Sequence, residues 1–126
     1  EAAQNAGLRT AILSGGFTYF TERLRIELGF DFATSNELEI SGGKLTGRVV
    51  GDIVDAAAKA HHLVRLTDEL GLRKEQVIAC GDGANDLLMM VQAGLSVAFH
   101  AKPATRAKAD VAINFGGLDS LLNLFD

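Results

Sequence analysis

Tryptophan is absent from this chain of 126 residues, and cysteine and proline occur once each. A single Cys80 excludes an intrachain disulfide framework and suits a reducing compartment, so a cytoplasmic setting is expected. No apolar run approaches the roughly 18 residues that mark a membrane span. The opening Glu1-Ala2-Ala3-Gln4-Asn5 has neither the basic region nor the apolar stretch of a signal peptide. It also lacks an initiating methionine, and a chain that begins partway through a longer one is expected. Basic excess is missing too: 12 Lys and Arg stand against 16 Asp and Glu, for a net charge of −4. With no basic cluster, nucleic acid and anionic membranes are not expected as partners. An acidic chain that binds an anion must rely on local devices: a helix N-terminus, a lysine or a metal ion.

What is present is globular in character, with 48% apolar and 22% charged residues. The length suits one domain over residues 1–126. Short apolar runs alternate with helical stretches, the pattern of βαβ units and a parallel sheet. A helix end over Glu1–Ala6 closes at Gly7. A strand is expected over Leu8–Leu13, followed by a helix over Phe17–Leu28 with Gly29 as its stop. A short strand is predicted over Asp31–Ser35. Alternation in Glu37–Ile40 and Lys44–Val50 around Ser41-Gly42-Gly43 predicts a β-hairpin standing apart from the parallel sheet. Asp55 opens a helix running to Leu70. Three βα units follow: Val77–Cys80 with a helix over Ala84–Ala93, Leu95–Phe99 with a short helix near Pro103, and Val111–Asn114 with a helix over Leu118–Leu124.

Ligands of parallel α/β sheets gather at the carboxyl ends of strands, and three segments there are polar or glycine-rich. Ser14-Gly15-Gly16 places a hydroxyl and two glycines between a strand and a helix, where the backbone can approach a phosphate closely. By itself that is more often an ordinary turn. Gly81-Asp82-Gly83-Ala84-Asn85-Asp86 puts Asp82 at a strand end and Asp86 one turn into the next helix, with Asn85 between them. Two carboxylates converging there suit Mg²⁺, which outweighs a reading as simple helix capping. Lys59, among alanines in Asp55-Ala56-Ala57-Ala58-Lys59-Ala60, is alone best read as a solvated helix lysine. Together, hydroxyl, lysine and paired carboxylates are the parts that hold a phosphoryl group beside Mg²⁺.

At these residues the chain resembles the haloacid-dehalogenase-like phosphatases, and within them the phosphoserine phosphatases. Ser14-Gly15-Gly16-Phe17 is similar to the second family motif, Lys59 to the third, and Gly81-Asp82-Gly83-Ala84-Asn85-Asp86 to the fourth. Ser35-Asn36-Glu37-Leu38-Glu39-Ile40, Gly51-Asp52-Ile53-Val54-Asp55 and His100-Ala101-Lys102-Pro103 are also similar to the bacterial enzymes. The resemblance implies a three-layer Rossmann-like α/β fold with a hairpin insertion, and hydrolysis of a small phosphomonoester, phosphoserine, in serine biosynthesis. It implies Mg²⁺ held by Asp82 with support from Asp86, and a phosphoryl group bound by Ser14, the Gly15 and Gly16 amides, Lys59 and Asn85. Lys59 and Asp82 would be catalytic.

The family's first motif, Asp-x-Asp-x-Thr/Val, supplies the nucleophile and the general acid-base. It should stand many tens of residues before Ser14, which only 13 residues precede. The cap that selects the substrate lies between those motifs and is likewise not in the sequence. Asp31, Asp52, Asp55 and Asp68 lack the motif and do not replace it. The first-motif strand is central in this family, so its neighbours here are expected to expose unpaired edges. Dimerisation, strand exchange or re-pairing would relieve them. The chain alone is expected to be inactive, and a non-catalytic phosphate- and Mg²⁺-binding module is the alternative. A response-regulator receiver, with Lys102-Pro103 as its lysine-proline pair, is set aside because its acids precede its hydroxyl and lysine.

Overall fold

The computed structural model describes residues 1–125, and the chain divides after Asp55 into two units. In the first, helix α1 (Ala2–Asn5) is followed by Gly7 at φ +81°. Strand β1 (Ala11–Phe17) leads into helix α2 (Thr18–Leu28), which Gly29 ends in the left-handed conformation. Strands β2 (Phe32–Ser41) and β3 (Lys44–Val50) complete a sheet of order β1-β2-β3.

Two sequence expectations are corrected here. The hairpin does not stand apart. One continuous β2 pairs parallel with β1 through Phe32–Asn36, then antiparallel with β3 through Glu37–Ser41. Gly42 and Gly43, at φ +57° and +77°, make the two-residue loop that a tight hairpin requires. Nor does β1 stop at Leu13. It continues through Ser14-Gly15-Gly16 as a bulge, its register passing from Leu13↔Thr34 directly to Phe17↔Asn36.

The second unit begins with helix α3 (Ala56–Glu69), and Gly71 follows it at φ +64°. A 3₁₀ turn (Lys74–Gln76) enters strand β4 (Ile78–Gly81). Another (Ala84–Asp86) opens the short helix α4 (Leu87–Met90). Strand β5 (Leu95–Phe99), helix α5 (Pro103–Arg106) and strand β6 (Val111–Ile113) come next, then a 3₁₀ helix over Leu118–Leu124. The parallel order is β4-β5-β6.

The predicted helix over Ala84–Ala93 is therefore much shorter than expected. It stops at Met90, and Gly94 then leads into β5, its N–H bonding the Val77 carbonyl at 3.0 Å beside β4. A Cβ on Gly94 would lie 2.5 Å from Glu75 Cα and 2.7 Å from the Lys74 carbonyl oxygen. Since backbone must move to admit it, Gly94→Ala is expected to destabilise the protein by about 1–3 kcal/mol, read by urea denaturation. An unchanged midpoint would contradict this packing.

An acid clasps the amino end of a parallel strand pair in each unit. Asp31, just before β2, accepts from the Thr10 N–H at 2.7 Å and the Thr10 hydroxyl at 3.0 Å. Asp110, just before β6, accepts from the Ser96 N–H at 2.8 Å and hydroxyl at 2.6 Å. Both carboxyls are held below their ordinary range, Asp31 chiefly by the Thr10 backbone bond and Asp110 chiefly by the Ser96 hydroxyl.

Burial is uneven. The second unit has an apolar core of Leu63, Ala79, Met89, Met90, Ala93, Val97, Ala98 and Ile113, whereas Val54 is the buried hydrophobe among the described residues of the first. On α2, Tyr19, Phe20, Leu24, Ile26 and Leu28 are all exposed, although the spacing of Phe17, Phe20, Leu24 and Leu28 predicts one apolar face. Strands β1 and β4 each stand at an edge of their own sheet. Among the described residues no helix is long and apolar enough to cross a membrane.

Candidate active site

The last residue of β4, Gly81, lets the chain turn back on itself. A Cβ there would lie 2.4 Å from Asp86 Cβ and 2.9 Å from Asp86 Oδ2, so only glycine leaves room for the Asp86 carboxylate beneath the turn. That carboxylate is fully engaged. Oδ1 accepts from Lys59 Nζ at 2.8 Å, and Oδ2 accepts from the N–H groups of Asp82 and Gly83 at 3.1 and 3.3 Å. Lys59 and Asp86 are 5% and 7% exposed, so the pair sits out of water. Lys59 is thus not the solvated lysine that its helix position alone implies, and the small side chains around it on α3 leave space for its stem.

Burial alone would push the Asp86 carboxyl up. The Lys59 hydrogen bond and charge, with the two backbone amides, override it and hold the group below its ordinary value. Asp86 is therefore a buried anion that fixes the ammonium group of α3 against the turn after β4.

Asp82 contrasts with it. Its side chain is exposed at the strand end, and no hydrogen bond or ion pair reaches its carboxylate among the described residues. Asn85 is exposed beside it and folds back over Gly83, where a Cβ would stand 2.8 Å from Asn85 Oδ1. Among the described residues no three His, Cys, Asp or Glu side chains come together to hold a metal unaided. Cys80, half-buried on β4, has its thiol pushed up by burial, which disfavours the thiolate.

At the same end of this sheet lies His100, first residue of the His100-Ala101-Lys102-Pro103 stretch, to which sequence reasoning assigned no role. Gly81 pairs with Ala98, so His100 follows β5 just beyond that level. It is a non-glycine residue at φ +47°, an uncommon conformation found more often near functional sites. Its N–H bonds the Ile113 carbonyl at 2.8 Å, and Nε2 reaches the Gly116 carbonyl at 2.8 Å. These bonds join the loop after β5 to the one after β6. No sequence signal marks a backbone of this kind.

In the first unit, Ser14 is half-buried within the β1 bulge while Gly15 and Gly16 are exposed. Ser14 Oγ accepts from the Gly16 N–H at 3.0 Å, which closes the hydroxyl onto the amide that follows it. Asn36, buried on β2, bonds both the Gly15 carbonyl and the Val54 N–H. Thr21 of α2 and Ser35 of β2 join their hydroxyls at 2.5 Å. The structure thus groups Ser14, Gly15 and Gly16 in one bulge. It joins Lys59 to Asp86 directly and leaves Asp82 and Asn85 open to solvent next to that pair. Asp31 lies at the amino end of its strand, the opposite end from Ser41.

Comparison with known proteins places these features in a family. A phosphoserine phosphatase from Polaromonas sp. is 55% identical over 98% of this chain, which covers 54% of that protein. The unliganded crystal structure of a probable phosphoserine phosphatase from Vibrio cholerae matches at a TM-score of 0.91 and 49% identity, over 94% of this chain and 37% of that one. A structure described as the phospho-aspartyl intermediate analogue of phosphoserine phosphatase matches at a TM-score of 0.92 and 38% identity, over 99% of this chain and 60% of the other. The chain therefore spans only part of these relatives, from 37% to 60% of their length. The model of the haloacid dehalogenase-like hydrolases matches residues 1–91, and this chain belongs to that family.

Proposed function

We propose that the chain is the later part of the core of a magnesium-dependent phosphoserine phosphatase, which converts O-phosphoserine and water to serine and phosphate. The observation that carries this reading is the buried Lys59–Asp86 pair set beside an open Asp82 at the end of β4. A fixed ammonium next to a free carboxylate suits a phosphoryl group accompanied by a cation. The named relatives and the phospho-aspartyl analogue structure support the substrate and the covalent route. On this reading the nucleophilic carboxylate lies in a part of the protein outside these residues.

The roles divide as follows. Ser14 and the glycine amides of its bulge bind phosphoryl oxygens, and Asn85 adds an amide contact. Lys59 neutralises phosphate charge, held in place by Asp86. Asp82 fits Mg²⁺, because it offers hard oxygen free of other bonds and this ion takes one or two carboxylates while keeping several waters. Asp86 has both oxygens occupied, so it supports the metal site by orienting its neighbours. The bound ion would supply charge stabilisation at the transferring phosphoryl group.

We also read residues 1–126 as one family core domain, since the family match crosses from one unit into the other. The exposed apolar face of α2 and the sheet edges at β1 and β4 are where further chain would pack, from the same molecule or from a second copy. The unpaired Cys80 fits a cytoplasmic enzyme. The test is phosphate release from O-phospho-L-serine by the intact protein, with and without Mg²⁺, beside residues 1–126 alone. Release is expected from the intact protein with Mg²⁺ and not from the shorter chain. An intact protein inert towards phosphomonoesters would overturn the reading, and turnover by residues 1–126 would overturn the placing of the nucleophile.

A further inference from the structure

We propose that Asn36 is a positioning residue that sets the direction of the Gly16 N–H, and through it the Ser14 hydroxyl, in the β1 bulge. The bulge creates the need. Between Leu13↔Thr34 and Phe17↔Asn36 the register gives Ser14, Gly15 and Gly16 no Cα partner on β2, so the regular ladder is interrupted at their backbone groups. Asn36 meets one of them, its Nδ2 donating to the Gly15 carbonyl at 2.9 Å. Its Oδ1 accepts from the Val54 N–H at 2.7 Å. The side chain is only 6% exposed, as is Val54, so neither bond is readily replaced by water. A Cβ on Gly15 would stand 3.4 Å from the Val54 carbonyl oxygen, which shows how closely the braced segments approach.

The consequence follows from peptide geometry. The Gly15 carbonyl and the Gly16 N–H belong to one planar trans unit and point in opposite directions. With the carbonyl drawn to Asn36, the N–H is turned the other way, where it meets Ser14 Oγ at 3.0 Å. An amide is required here because one end must donate and the other accept. Aspartate would keep the Val54 bond and present an acceptor to the Gly15 carbonyl. This inference rests on the phosphate-binding role proposed for Ser14 in what it predicts for ligand affinity, but not in what it predicts for the backbone.

The experiment is hydrogen exchange at the Gly16 amide by NMR in the intact protein, beside the inhibition constant for inorganic phosphate, for the native protein, Asn36→Asp and Asn36→Ser. In both variants Gly16 exchange is expected to accelerate, and phosphate affinity to fall, by about tenfold, while amides of β5 are unaffected. Unchanged Gly16 exchange in a folded variant overturns the proposal. So does an Asn36 side-chain amide in the native protein that exchanges as fast as an exposed one, a measurement that needs no variant to fold. Faster Gly16 exchange in a protein whose native form does not bind phosphate would uphold Asn36 and reject the role given to Ser14.

Discussion

Replacing Lys59 with methionine is expected to lower stability at neutral pH by about 3–5 kcal/mol, the usual consequence of leaving a buried charge without its partner. Asp86 would lose the ion pair at 2.8 Å and keep only the two backbone N–H donors. The pH dependence gives the result a signature. In the native protein the Asp86 carboxyl is held below its ordinary value. Its contribution is therefore present above the unfolded pKa of about 4 and is lost as pH falls through the folded value. Without Lys59, burial dominates and raises the carboxyl above the unfolded value. The penalty is then full at neutral pH and shrinks as acid protonates the group. Urea denaturation at neutral and mildly acidic pH would show the variant approaching the native protein on acidification. Equal stability of the two at neutral pH would mean that the pair is not buried as described. If Lys59 neutralises the phosphoryl group as proposed, phosphatase activity of the intact protein should fall by at least about 100-fold in parallel.

Asp82→Asn is expected to do the reverse, leaving the fold intact and removing function. The side chain is exposed and bonded to nothing among the described residues, so stability should change by no more than about 0.5 kcal/mol. Exchanging a carboxylate for an amide removes the charge that attracts a hard cation. Mg²⁺ affinity, followed by calorimetry, and magnesium-dependent phosphate release should each drop on the order of 100-fold or more. Native Mg²⁺ affinity in the variant would remove Asp82 from the metal site. A large fall in melting temperature with native affinity would make it a structural residue instead. The two substitutions thus separate the buried lysine of α3, which anchors the turn after β4 through Asp86, from the exposed carboxylate of that turn proposed to face the ligand.

Much of this was legible in the chain itself. Glycines that need positive φ mark the ends of α1, α2 and α3 and the hairpin loop, because no other residue adopts that backbone at so little cost. Strand β5 was readable to the residue as a compact apolar run bounded by glycine on one side and a polar loop on the other. The candidate groups also stood out, since Ser14-Gly15-Gly16 and Gly81 to Asp86 combine glycine with oxygen-bearing side chains at strand ends. What failed was periodicity on α2. The apolar stripe of α2 predicts a covered face, and Phe20 remains 62% exposed.

Element type, the βα alternation and the residue types at the strand ends were determined by the sequence alone, because they depend on local backbone preference and side-chain chemistry. Tertiary structure decided the rest. It buried Lys59 on Asp86, wound the helix after Asp82 down to a single short turn, carried β1 onward through its glycines and braced that bulge with Asn36. Each of these depends on atoms brought together from distant positions: Asp86 lies 27 residues from Lys59 and Asn36 lies 21 from Gly15. Burial and hydrogen-bond satisfaction belong to such meetings, and no local pattern records them.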